Sequence, residues 1–232
     1  MIAGAAAVLA TAGALTAYGA IEPNNSLFGP VIGRGPRERS VYLTFDDGPN
    51  AEATPRILDT LAAAGVPAAF FMVGRHVRRF PELARAVAAR GHAVGNHTES
   101  HVKLHRLGPR RIDAEVGEAH EAIVGTTGVA PRAFRAPHGY RNPFVFRAVR
   151  PFGYRVFGWT FGVWDTARPG ADEIRRRVRA KLRPGAVLLL HDGDGYDVTG
   201  DRRQTAEALP GILEDARAAG YTFRPLGELL AS

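Results

Sequence analysis

Two aspartates stand side by side in "VYLTFDDGPN": Asp46 and Asp47 end the apolar run Val41–Phe45 and precede Gly48-Pro49. Like charges at the exposed end of a buried strand repel each other, and neither has an opposite charge close by in sequence. Such a pair suits a turn or a helix cap. It also suits chemistry in which one carboxylate holds a cation while the other moves a proton. His97 and His101 in "GNHTESH" are spaced i, i+4, which would set two imidazoles on one face of a helical turn. Glu99 stands third in that stretch, so the metalloprotease pattern is not met. By itself the spacing also arises by chance, and His105 continues it. Two histidines plus a carboxylate from another segment leave an open position on a divalent cation, where a water can be activated. If Asp47 supplies that carboxylate its charge is neutralised, and Asp46 is free to act as general base. Neighbours on an extended segment point opposite ways, so Gly48-Pro49 must turn the chain for both to reach one site.

These residues lie far apart, and the elements between them have to bring them together. Val41–Phe45 reads as a strand. Thr54–Ala64 is a predicted helix capped by Thr54, with Pro55 in its first turn and Gly65 past its end. Strands follow at Ala68–Val73 and in "HAVGNH", separated by the helical "FPELARAVAARG". A helix from about Pro109 to Val124, a strand at Ala133–Arg135 and a helix around Pro143–Arg150 come next. "GYRVFGWT" and "GAVLLLH" are strands flanking the helix "ADEIRRRVRAKL"; the chain closes with a helix from Arg203 to Ala219 and the strand "YTFRPL". Alternation of this kind predicts parallel strands with helices outside. About seven such repeats in one domain favour a closed or nearly closed barrel over an open sheet. Asp46-Asp47, His97, Arg135 and His191 each directly follow an apolar strand, and in parallel α/β folds those ends converge on one rim. No glycine-rich phosphate loop opens a helix, which weighs against nucleotide binding.

The chain has 232 residues, 45% of them apolar, enough for one sizeable core. It has no cysteine, which excludes disulfides, thiolate metal sites and a cysteine nucleophile. The formal charge is +7, carried almost wholly by arginine in short helix-like clusters such as Arg175-Arg176-Arg177. No basic run is interleaved with aromatics, so nucleic acid is not an expected partner. Residues 1–21 carry no charged side chain and are long enough to span about 30 Å of hydrocarbon at about 1.5 Å per residue. They are expected to be a secretory signal or a membrane-anchor helix. Export to the cell envelope, anchored or secreted, is the expected localisation. Residues 22–38 read as a Pro/Gly-rich linker, and 39–232 as a catalytic domain.

Four stretches together, "TFDDGPN", "GNHTESH", "FRAPHGYRNP" and "LLLHDG", resemble in order and spacing the motifs of the polysaccharide deacetylases, the nodulation-type deacetylase domain of carbohydrate esterase family four. The resemblance covers roughly residues 39–228. It implies a deformed (β/α) barrel and a hydrolase of carbon–nitrogen bonds other than peptide bonds, removing N-acetyl or O-acetyl groups from an acetylated glycan. It also implies one divalent ion, Zn2+ or else Co2+ or another. Carried over, Asp46 is the base, and Asp47, His97 and His101 are the metal ligands. Arg135 orients the base, and the main-chain N–H of His138 helps hold the oxyanion. His191 is the general acid, and Leu189 is the wall beside the acetyl methyl. His138 stands where the family often has Tyr. The family's Asp-Trp pair is here Asp165-Thr166 with Trp159 and Trp164 nearby, so that Asp165 is expected to pair with His191 and Trp159 to line the substrate pocket. His76, His92 and His120 are expected to be structural or at the surface. A non-catalytic glycan-binding module on the same barrel, or a hydrolase of a non-sugar amide, are the alternatives.

Overall fold

The computed structural model describes residues 13–230; most of the expected signal or anchor, residues 1–12, lies outside them. Helix α1 is described over 13–21, and among the described residues no helix is long and apolar enough to cross a membrane. Nine strands follow: β1 (Val31–Ile32), β2 (Ser40–Asp46), β3 (Ala69–Met72), β4 (Ala93–Asn96), β5 (Ala133–Phe134), β6 (Arg155–Phe157), β7 (Phe161–Gly162), β8 (Ala186–His191) and β9 (Thr222–Phe223). The helices between them are α2 (Ala53–Ala64), α3 (Gly74–Arg79), α4 (Pro81–Ala89), α5 (Pro109–Thr127), α6 (Pro143–Val149), α7 (Ala171–Lys181) and α8 (Arg203–Ala218). The strands run in the order β1-β6-β5-β4-β3-β2-β8-β7, with β9 also on β2, and every named pairing is parallel. This is the expected deformed barrel in a single α/β domain. The two strands beyond the predicted seven, β1 and β7, have two residues each and lie among glycines and prolines or shortly after another strand.

Period-two alternation sorts β2 between two cores. Val41, Leu43 and Phe45 face outward and join Ile57, Leu61, Leu188, Leu190 and Leu209 beneath the helices, where Phe45 and Phe70 stack at 5.1 Å. Tyr42 faces the barrel interior with Phe71, Phe157, Val187 and Leu226. Continuing the count puts Thr44 and Asp46 on the interior face of β2, and Leu189 and His191 on that of β8. Burying one Leu or Phe of such a core contributes roughly 1.5–3 kcal/mol. A third cluster, including Ile112, Val116, Val145 and Val149, seats α5 and α6 against β5 and β6.

The residues read as a linker are in part built into the barrel. β1 pairs with β6, the Thr160 hydroxyl donates to Gly33 O at 2.7 Å, and Gly35 N–H donates to Gly185 O at 2.8 Å. The Asn24 side chain donates to Trp159 O and accepts from Trp159 N–H, at 2.9 and 3.2 Å. Arg141 donates to Glu22 O at 2.8 Å. Prolines and glycines gave this stretch the look of a spacer, whereas it bridges the gap between β6 and β8. One predicted cap is also corrected. Asn50, not Thr54, accepts from the first N–H groups of α2, those of Glu52 and Ala53, each at 3.0 Å. Thr54 is fully buried, and its hydroxyl is taken up by the Asn50 N–H and by Asp192. Gly65 and Gly91 do end α2 and α4 in left-handed conformations, with φ of 62° and 77°.

Candidate active site

Interior-facing strand ends meet in a cleft of about 540 Å³ at the carboxyl rim of the barrel, within the range usual for small-ligand pockets. Asp46 ends β2 and Asp47 follows it with φ +74°, a left-handed conformation a non-glycine residue adopts only when held there. That reversal lets two neighbouring carboxylates share one site. His97 follows β4 directly. His97 and His101 do not lie on a helical turn, as their spacing suggested. They sit in an irregular loop with Thr98 and His101 at φ +69° and +58°. Asn96 shapes the start of that loop by accepting from Thr98 N–H at 2.9 Å, and buried Glu115 of α5 holds the Ser100 N–H and hydroxyl at 2.9 and 2.7 Å.

The loop brings three ligand atoms together. Asp47 Oδ1 lies 3.3 Å from His97 Nε2 and 3.0 Å from His101 Nε2, and the three residues are all buried. Whether a divalent ion fits is answered by the donor set itself. Arg135 O can only accept, so the 2.7 Å contact with His97 Nδ1 places the proton on Nδ1 and leaves the Nε2 lone pair free toward Asp47. Asp47 Oδ1 is buried without a conventional hydrogen-bond donor. Two imidazole nitrogens and one carboxylate oxygen, converging from two strand ends, match a three-ligand site with an open position. Burial pushes the Asp47 carboxyl up, but the neighbouring His101 imidazole outweighs it and holds it well below the usual carboxylate range.

Two proton-active groups flank this trio, each gripped by a buried partner. Asp46 Oδ1 accepts from Arg135 Nη1 at 2.7 Å, while Oδ2 lies 3.7 Å from His97 Nε2. Arg135 is completely buried; it also donates to the Thr44 hydroxyl and to Gly158 O, each at 2.8 Å, and its guanidinium lies 4.1 Å above the Phe71 ring. His191 ends β8, and its Nδ1 lies 2.9 Å from Asp165 Oδ1. The other Asp165 oxygen accepts from His191 N–H and the Thr205 hydroxyl, at 2.9 and 3.0 Å. Burial disfavours a charge on His191, yet Asp165 overcomes it and pushes the imidazole up to about 9. Asp165 itself is raised by burial and lowered further by His191, ending below its ordinary value. Next along the chain, Asp192 is pushed up to about 7 by burial, against the Thr54 hydrogen bond.

Leu189, Trp159 and His138 line the cleft as expected, joined by Trp164, Tyr140 and Tyr196. The His138 ring is hydrogen-bonded to Tyr196 Oη at 2.7 Å and meets His101 edge-on; burial and His101 draw it down to about 4, so it is neutral at pH 7. Every sequence-predicted site residue therefore reaches this one cleft or directly backs it. Reasoning from sequence missed Tyr140, Tyr196 and Glu115. Tyr140 and Tyr196 stand in loops that no periodicity marks; a charged residue among apolar positions of α5 was the available sign of Glu115.

A parallel α/β barrel with an Asp-His-His trio and two backed proton-transfer groups at its carboxyl rim is the frame of a hydrolase. Residues 33–157 match the family model described as polysaccharide deacetylase, and the chain belongs to that family. It is 41% identical over 198 residues to a chitooligosaccharide deacetylase of Rhizobium leguminosarum bv. trifolii, an alignment covering 83% of this chain and 92% of that one. Among solved structures it resembles a peptidoglycan N-acetylglucosamine deacetylase at 29% identity and a TM-score of 0.79, over 87% of this chain and 93% of that one. It also resembles a CE4 family pseudoenzyme from Bacillus anthracis at 30% identity and a TM-score of 0.78, over 86% and 68% of the two chains.

Proposed function

We propose that this chain is a metal-dependent deacetylase that hydrolyses N-acetyl groups on glucosamine-containing glycans of the cell envelope or its surroundings. The observation that carries this reading is the placement of Asp46 and His191, each locked to a buried partner, on the same cleft as the Asp47–His97–His101 trio. The substrate class is supported by the chitooligosaccharide and peptidoglycan deacetylases among its relatives.

Asp47, His97 and His101 would hold the ion, with Zn2+ favoured by a nitrogen-rich three-ligand set and Co2+ accommodated by the same donors. The chemistry such an ion supplies is charge for the acetyl oxygen and a more acidic water. Arg135 occupies Asp46 Oδ1, which leaves Oδ2 as the oxygen that takes the water's proton. Asp165 occupies His191 Nδ1, which leaves Nε2 to give a proton to the departing amine. The main-chain N–H of His138, on the left-handed turn Pro137–Gly139, is assigned to the acetyl oxygen's developing charge. Leu189 and Trp159 wall the acetyl and sugar sides of the cleft.

The expected result is acetate release from N-acetylglucosamine oligomers by protein loaded with Zn2+ or Co2+, abolished by a chelator and restored by the ion. Asp46→Asn keeps an acceptor for Arg135 yet cannot take a proton; it should lower kcat by about 10²–10⁴-fold with metal still bound. Undiminished turnover in that variant would refute Asp46 as the base. The pseudoenzyme neighbour motivates a second reading, glycan binding alone, which tight binding without acetate release on any acetylated polymer would establish.

We assign residues 1–21 to membrane attachment or export. The reading is supported by their lack of charge and by Leu15, Tyr18 and Ile21, more than half exposed along one stripe of α1. If these residues attach it, the full chain should float with lipid vesicles; recovery in the aqueous fraction alone contradicts attachment and leaves export.

A further inference from the structure

The first turn of α3 touches three loops of the candidate site at once. Gly74 and Arg75 N–H donate to Thr98 O and Glu99 O at 2.9 and 3.1 Å, between the two histidine ligands. Val73 N–H donates to Gly48 O at 3.0 Å, and the Arg75 guanidinium donates to Gly195 O. Within this turn one further side chain reaches the Asp47 loop. His76 is 1% exposed, and its Nδ1 lies 2.7 Å from the carbonyl oxygen of Asp47.

A carbonyl oxygen has no proton to give, so the hydrogen in that contact belongs to His76 Nδ1. Nε2 of the same ring is buried without a partner. Burial leaves Nε2 unpaired, so the ring is accounted for by its Nδ1, the donor that reaches the Asp47 carbonyl oxygen. What the ring does achieve is a grip on a main chain that is otherwise unfavourable: Asp47 holds φ +74° without being glycine. The same carbonyl is confined from another side, since a Cβ on Gly193 would come within 2.2 Å of it. Fixing that peptide fixes the direction of the Asp47 side chain, and with it the 3.3 and 3.0 Å approaches of Oδ1 to His97 and His101.

We infer that His76 is a positioning residue for Asp47: its Nδ1–H pins the left-handed main chain so that the carboxylate meets the two imidazoles in ligand geometry. This rests on the proposed metal site, and the test separates the two. Zinc affinity of the metal-stripped full chain is measured by competition with a chromogenic chelator, beside the melting temperature of the metal-free protein, for wild type, His76→Leu and His76→Asn. Hydrogen bonds behind metal ligands typically carry 10–100-fold in affinity. His76→Leu should lose about that much while its metal-free form melts close to wild type. His76→Asn, whose amide nitrogen stands as many bonds from the main chain as Nδ1, should recover most of the loss. Wild-type affinity in His76→Leu, or no recovery in His76→Asn, overturns the inference. If the Leu variant does not fold, imidazole nitrogen NMR of the wild type decides: a protected Nδ1–H on His76 upholds the inference and the Nε2–H tautomer overturns it. A wild-type chain that binds no zinc removes the metal site itself, and the inference with it.

Discussion

His191 shows how one buried partner can set a reaction's pH range. Its imidazole sits at about 9, because Asp165 favours the charged form by more than burial disfavours it. An acid must carry its proton to give it away, so kcat should hold through neutral pH and fall as pH rises through about 9. Asp165→Asn should move that alkaline limb down toward the ordinary histidine value of about 6.5; a limb unmoved by the substitution would break the pairing of roles. Linkage adds a stability effect of the same sign. The folded value lies above the unfolded one, so the pair's contribution is complete below about 6.5 and is lost as pH rises through about 9. Asp46, Asp47, His97 and His191 were legible in sequence because each stands at the end of an apolar strand, and His101 because it is spaced i, i+4 from His97 within a recognisable motif. The ring nitrogens that bond Arg135 O and Asp47 O were not, since nothing in a residue's type says which main-chain carbonyl will lie beside it.

Strand alternation does most of the work of assembly. A single register on β2 sends Phe45 under the helices and Asp46 into the barrel, and β8 sends Leu190 and His191 apart in the same way. Predicted elements matched observed ones where strands and helices alternated in clear succession, down to the short β5 and β9. They failed for β1 within the Pro/Gly-rich stretch, for β7 and the short α3, and where a loop did what a helix was expected to do, as between His97 and His101. Phe71 of β3 links the two concerns of packing and chemistry, being fully buried beneath the Arg135 guanidinium. Phe71→Ala should cost about 3–5 kcal/mol by chemical denaturation. Because it removes the floor under the group that orients Asp46, kcat should fall even under conditions where the variant is folded. Full activity in folded Phe71→Ala would show that Arg135 is held by its hydrogen bonds alone.

The whole molecule is a scaffold that gathers a charged, buried constellation, and its stability should report on what that constellation holds. Asp46, Asp47, His97, His101 and Arg135 are all buried around one point. An ion bound only by the folded state stabilises it by about 2.7 kcal/mol at a hundred times its dissociation constant. Zinc should therefore raise the melting temperature of stripped protein in a concentration-dependent way, and Asp47→Ala should abolish the shift. A shift that persists in Asp47→Ala would move the binding site elsewhere.

The bridging of β6 to β8 by residues 22–35 bears on where a protease could safely cut this chain. Cleavage just ahead of Glu22 would free the barrel from any lipid tether while keeping Asn24 on Trp159 and β1 on β6. A nick after Arg34 that lets the severed piece go would strip β6 of its outer neighbour and leave an unpaired strand edge open to self-association. Limited proteolysis followed by size-exclusion chromatography should accordingly yield an active monomeric-size barrel from the first cut and aggregates from the second. A cut that spares the barrel and one that strips its edge would thus be separated by little more than a dozen residues.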